Sequence, residues 1–327
     1  MKKLMFFVAA AAMIVSCKAN GAATAEQENQ VNDSLPTVYL IKEITPENIT
    51  KVYEALGRPV EGEKVAVKIS TGESEKSHQL DPALIGPFVK SINGTFVECN
   101  TAYKGNRYTT EDHLKEVEKR GYLDWANVDI MDADGDTALV VNEGFHLPYN
   151  LVGKHFLDYD FMVVLSHFKG HQMGGFGGAL KNISIGIASS EGKSWIHSAG
   201  ESLKNLNELG DKYAQQDAFL ESMADASQTI IDRMGDKILY INVANNLSVD
   251  CDCNGNPADP EMADLGILAS LDPVALDQAS CDLVFNTDDP GNAALIERIN
   301  SRHGLHLLEA AEKLGLGSRK YNLVVIE

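Results

Sequence analysis

FMVVLSHFKGHQMGGFGGALKNISIG, residues 161–186, is the stretch whose reading decides the fold. Phe161, Met162, Val163, Val164 and Leu165 form an unbroken apolar run, the pattern of a strand covered on both faces. The character then changes. Ser166, His167, Lys169 and His171 bring hydrogen-bonding, cationic and metal-ligating side chains to the strand's end. Glycines at 170, 174, 175, 177, 178 and 186 let the following backbone turn tightly or approach a ligand closely. A buried strand that runs into such a segment predicts a site at its carboxyl end. The bland alternative is a Gly-rich surface loop with two solvated histidines.

On either side of this stretch, short β-rich runs alternate with amphipathic ones, the grammar of α/β architecture. Strands are predicted over 37–44, 64–70, 94–100, 238–243, 266–269 and 322–326. Pro46, Pro82 and Pro273 each follow a capping residue and open helices. Gln216 to Met234 carries Phe219, Met223, Ala226, Ile230 and Met234 on one helical stripe. We therefore expect an α/β fold: a mixed or mostly parallel sheet flanked by helices, in one large domain over residues 37–327, with room for a smaller second lobe. Ligands of such sheets gather beyond the carboxyl ends of the strands. That rule gathers Thr71, Glu73, Cys99 to Thr101, Asp132, Asp134, His167 to His171, Asn245 to Cys253 and Asp272 at one edge.

The first 36 residues read differently. Lys2 and Lys3 precede an apolar run from Leu4 to Val15, too short to span a bilayer, so residues 1–17 read as a secretory signal. The order Ile14, Val15, Ser16, Cys17 resembles the lipobox of bacterial lipoproteins, which implies lipidation of Cys17 and an extracytoplasmic, membrane-anchored protein. Residues 18–36 hold few large apolar side chains and are expected to be a flexible tether. The formal charge of −19 argues against nucleic acid or an anionic lipid surface as partner, so the lipid itself is the only membrane contact expected.

Within the edge set, imidazole and thiolate are the ligands of zinc and iron sites, so His167, His171, Cys251 and Cys253 are the candidate metal ligands. Against this stands the spacing: Cys-x-Cys is weakly diagnostic, and a disulfide, or a turn that touches no histidine, is the plain alternative. Cys99 and Cys281 are left as a second pair or as two buried thiols. Lys169 and Glu98 are the catalytic candidates, while Lys181 and Asn182 are placed to orient a ligand. The glycine order is not that of a nucleotide loop, and no Gly-x-Ser-x-Gly elbow occurs. Asp132, Asp134 and Asp136 lack calcium-loop spacing and read as a hairpin-like turn. Residues 198–215 read as a surface connection.

Five stretches, VAVKISTGE (65–73), VECNTAYKGNR (97–107), LSHFKGHQMGGFGGALKNISIGIASSEGK (165–193) with His197, YINVANNLSVDCDC (240–253) and DLGILASLDPVALDQASCDLV (264–284), resemble the bacterial domain of unknown function 362 family. The resemblance spans nearly the whole chain after the tether and implies an iron-sulfur association. Many members carry a ferredoxin-like insert soon after the segment matching 192–197. Residues 198–215 contain no cysteine, so ferredoxin-type four-iron clusters are not expected here. The expectation is a metal-dependent enzyme or redox-accessory protein with an unknown small-molecule or redox partner; the alternative is a lipoprotein that binds a ligand without chemistry.

Overall fold

Alternate side chains of the central strand enter two different cores. Phe161, Val163 and Leu165 pack on one face of the sheet, and Met162 and Val164 on the other. The structure, a computed structural model, describes residue 32 and residues 34–327. The expected signal, Cys17 and most of the tether lie outside the described residues. The chain runs β1 (Thr37–Ile41), α1 (Pro46–Ala55), β2 (Val65–Lys68), α2 (Pro82–Ser91), β3 (Gly94–Glu98), α3 (Thr110–Lys119) and β4 (Val128–Ile130). A hairpin of β5 (Asp136–Val140) and β6 (Tyr149–Gly153) follows, then β7 (Phe161–His167) and a short hairpin of β8 (Lys169–His171) and β9 (Gly175–Gly177). The rest is α4 (Ala179–Ser184), α5 (Ser190–His197), α6 (Gln216–Met234), β10 (Ile238–Ala244), β11 (Gly266–Ser270), α7 (Pro273–Asn286), α8 (Asn292–Ser301), α9 (His306–Lys313) and β12 (Asn322–Val325).

Eight strands form one sheet in the order β12-β1-β11-β10-β7-β2-β3-β4. Only β11 runs against the others, so the sheet is mixed and mostly parallel, as the sequence predicted. The apolar faces of α1, α2 and α3 cover one side, those of α4 to α9 the other. Local chemistry starts the helices: Thr45 Oγ1 accepts from Asn48 N (3.2 Å) and Asp272 Oδ1 from Ala275 N (2.9 Å), each just before a first-turn proline. Among the described residues, no helix is long and apolar enough to cross a membrane.

Two expectations are corrected. β4 and β5 do not pair across residues 132–136; β5 pairs with β6 instead. Asp272 is not at the carboxyl edge, because the reversal of β11 carries its end to the opposite edge, where Ser270 Oγ donates to the Thr37 carbonyl.

Candidate functional site

From β2 the chain moves outward to β3 and β4, whereas from β7 it moves to β10 on the other side. The carboxyl ends of β2 and β7 therefore flank a switch point, where a crevice opens. Glycine shapes what fills it. A Cβ on Gly170 would collide with the Val249 backbone, so only glycine lets the loop after β10 lie against β8 and bring Cys251 and Cys253 to His171. A Cβ on Gly178 would strike Asp277, whose carboxylate accepts from Ala179 N (2.7 Å) and Leu180 N (2.9 Å) and so fixes the start of α4. Lys181 follows in the first turn. Lys193 and His197, four apart on α5, share a helix face.

These elements line a cavity of about 80 Å³. Its polar wall includes Glu98, Arg107, His171, Lys181, Lys193 and His197. A wider vestibule shares Tyr103, His171, His197, Leu206 and Cys253 with it and adds Cys251 and Met173. The connection 198–215, expected to be only surface, closes this space: Leu206 lines both chambers, and its N–H donates to the Ala102 carbonyl (2.8 Å).

Two buried carboxylates hold the surrounding cations. Glu98 accepts from Arg107 Nη1 (2.8 Å), Thr71 N (2.9 Å) and Thr71 Oγ1 (2.5 Å), and lies 3.2 Å from His113 Nε2. Burial would raise its pKa, but Arg107 and His113 outweigh burial and hold it well below the usual carboxylate range. Asp252 accepts from Lys169 Nζ (2.6 Å) and lies 2.9 Å from His167 Nδ1; both partners outweigh burial and keep it ionised far into acid.

Lys181 has no such partner. Among the described residues its amine makes no hydrogen bond or ion pair, and burial, with Lys169 and Lys68 nearby, lowers its pKa to about 7. Lys68, held by the Ile69 carbonyl (2.5 Å) and Asn182 Oδ1 (3.0 Å), falls to about 8, chiefly through burial.

The two cavity histidines are fixed in opposite tautomers. Met173 N (3.2 Å) and Gly174 N (2.8 Å) both donate to His171 Nδ1, so its proton sits on Nε2. His197 Nδ1 lies 2.6 Å from the Lys193 carbonyl, which can only accept, so Nδ1 carries the proton and Nε2 is bare. Burial and the neighbouring lysines push both pKa values down, His197 to about 4. At neutral pH the site thus offers one uncharged N–H donor and one uncharged base.

The candidate residues part company here. His171, Cys251 and Cys253 bring ligand atoms within 4.8 Å of one another, a group able to hold a metal. His167 is drawn elsewhere: both its nitrogens face oxygen acceptors, Asp252 Oδ1 and the Asn245 carbonyl (2.6 Å). The four residues expected as one ligand set therefore divide into three and one. Cys251 and Cys253 are joined as a disulfide, while Cys99 and Cys281 are buried free thiols. In this oxidised state the trio does not fit a metal, because the sulfurs are bonded to each other and His171 Nδ1 is occupied by backbone N–H groups. Lys169 is bound to Asp252 and the His167 carbonyl (2.9 Å) rather than lining the cavity. Asn182 is a strap, its amide donating to the Lys68 carbonyl (3.2 Å) and Ser166 Oγ (3.0 Å). Glu98 does reach the cavity wall, with its oxygens already engaged. Sequence reasoning missed Arg107 and Lys193, although the spacing Lys193-x-x-x-His197 on a predictable helix was a usable signal.

No curated protein matches this chain. Among solved structures it is similar to a lactate racemase apoprotein from Thermoanaerobacterium thermosaccharolyticum, at 17% identity over 75% of this chain and 56% of that one, with a TM-score of 0.45. It is also similar to a protein from Thermotoga maritima, at 13% identity over 73% and 57%, with a TM-score of 0.42. The chain thus spans little more than half the length of either, and at such identity no residue role passes between them. Residues 65–282 match the family described as Domain of unknown function (DUF362), more than half of the chain, and the protein belongs to that family.

Proposed function

We propose that this protein is an enzyme that holds a small organic anion in the switch-point cavity and moves a proton on it. The observation that carries this reading is the Lys181 amine, left without an acceptor among the described residues in a cavity wall that also holds Arg107 and Lys193, in a chain of formal charge −19. An anion supplies the missing counter-charge. His171 Nε2–H then donates to an oxygen of the bound molecule, stabilising charge that develops there, and the bare Nε2 of His197 accepts a proton. Burial chiefly depresses His197, and a bound anion offsets the further contribution of Lys181 and Lys193, which makes it a stronger base when substrate is present.

The test is proton NMR in deuterium oxide with two- to six-carbon carboxylates. The expected result is exchange of a carbon-bound hydrogen in at least one acid, lowered about 10²–10⁴-fold in His197→Ala. Equal exchange in that variant, or none across the panel, overturns the reading.

A second reading rests on the spacing of His171, Cys251 and Cys253. Once the disulfide is reduced, two thiolates become available to zinc or iron, and the protein is then metal-dependent or redox-accessory. Metal content that rises on reduction, and does not rise in Cys253→Ser, supports it; metal content indifferent to reduction excludes it. We also propose that the domain works outside the cytoplasm on a lipid tether at Cys17. Cys17→Ser should release correctly processed protein from the membrane fraction; processed variant that stays membrane-bound refutes the tether.

A further inference from the structure

Among residues that do not line the cavity, three histidines and three carboxylates meet where α6, α9 and the loop 141–148 come together. Asp217 and Glu221, one turn apart on α6, face His303 and His306, the latter opening α9. His303 Nδ1 lies 2.7 Å from Asp217 Oδ1, and His306 Nε2 lies 3.1 Å from Glu221 Oε1. Glu221 Oε2 is held by His146 Nε2 at 2.6 Å, and His306 Nδ1 lies 3.3 Å from Glu309 Oε2. Asp217, His303 and His306 each present a ligand atom within 4.8 Å of the other two. The cavity chemistry uses none of these residues.

We propose that Asp217, His303 and His306 form a binding site for a divalent cation of the zinc class, with Glu221 as the fourth donor. Two imidazoles and a carboxylate are a donor set that such ions take, at about 2.0–2.2 Å from each ligand atom. Ligand atoms around a tetrahedral ion at those lengths stand roughly 3.3 Å apart. Among Asp217, His303 and His306 the present separations, from 2.7 Å up to at most 4.8 Å, bracket that spacing, and Glu221 Oε1 stands 3.1 Å from His306 Nε2. The ion replaces the shared protons of the His-to-carboxylate contacts. His146 already supplies the outer contact that orients Glu221, as the partners of metal ligands do.

His303 follows α8 in the left-handed region, at φ 50°, which histidine adopts more readily than most side chains. Its ring reaches Asp217 and lies against His306, with ring centroids 5.0 Å apart. The site also has a mechanical position. Gln216, next to Asp217, donates to the carbonyls of Met173 and Arg302 (2.8 Å each), and Met173 lines the vestibule. A cation here therefore ties the first turn of α6 to α9 and stiffens one wall of the cavity mouth.

The experiment is a zinc titration of the oxidised, untagged full chain against a chromophoric chelator, with thermal unfolding alongside. Wild type should take up one equivalent and unfold at higher temperature when zinc is present. His303→Ala and Asp217→Asn should each weaken zinc binding at least tenfold and abolish the thermal shift. Cys253→Ser should retain both, which separates this site from the sulfur group beside the cavity. No uptake by wild type, or uptake unchanged in both α6–α9 variants, overturns the proposal.

Discussion

Glu98→Ala should unfold in markedly less urea than wild type, by about 3–5 kcal/mol of stability, the range observed when one partner of a buried ion pair is removed. The buried carboxylate satisfies Arg107, both donors of Thr71 and the ring of His113. Its loss leaves Arg107, 3% exposed, with Glu73 as its remaining acid and strands the Thr71 N–H away from water. Against a total of roughly 5–15 kcal/mol for a typical domain, that is a large fraction. Glu98→Gln keeps the shape but turns an amide NH₂ toward one of these donors, so it should fall between alanine and wild type. Lys115→Ala, which breaks only an exposed pair with Glu111 and Asp112, should leave the urea midpoint unchanged. Equal midpoints for Glu98→Ala and Lys115→Ala would show that the hub is not structural. The pH dependence has a definite sign. Because Glu98 and Asp252 are depressed in the folded state, their stabilisation is present above the ordinary carboxylate pKa and is lost as pH falls through the folded values.

Lys181→Met should do two opposite things: weaken anion binding by about 30-fold or more, and raise the melting temperature near neutral pH. The first follows because truncating a charge that pairs with a bound anion in an enclosed site costs about 2–5 kcal/mol of binding. The second follows from linkage. A lysine whose pKa falls to about 7 on folding binds its proton less tightly than the unfolded chain does, so holding it charged opposes folding. That penalty is complete below pH 7 and is relieved as pH rises from 7 toward the ordinary lysine value. Methionine removes it altogether, by an amount on the order of a few kcal/mol. Anion affinity in wild type should fall as pH rises through 7, and binding near that pH should take up a proton. A Lys181→Met protein that melts lower than wild type at pH 6 to 7, and binds anions as well, would show that this amine is neither desolvated nor part of the site.

Much of the fold follows from local pattern. Five consecutive apolar residues at 161–165 call for burial on both faces because successive side chains of a strand point to opposite sides, and two cores receive them. Caps and prolines at 45–46, 81–82 and 272–273 mark helix starts because they act on backbone groups only a few residues away. The sequence also pointed to the candidate cavity, since the polar, glycine-rich segment after the buried strand supplies His171 and Lys181 to its wall. Which residues share the site was decided only by tertiary structure. The reversal of β11 moved Asp272 to the far edge, and no local feature of residues 266–270 encodes strand direction. His167 and His171 look alike in sequence, yet Asp252 and the Asn245 carbonyl engage one while the Met173 and Gly174 amides fix the other's tautomer. Arg107, Lys181 and Lys193 come from three separate segments, so their shared cavity appears only when the chain closes over the switch point. Composition and spacing report which chemical groups a chain carries; burial and long-range contacts determine which are satisfied, and so which remain for a ligand.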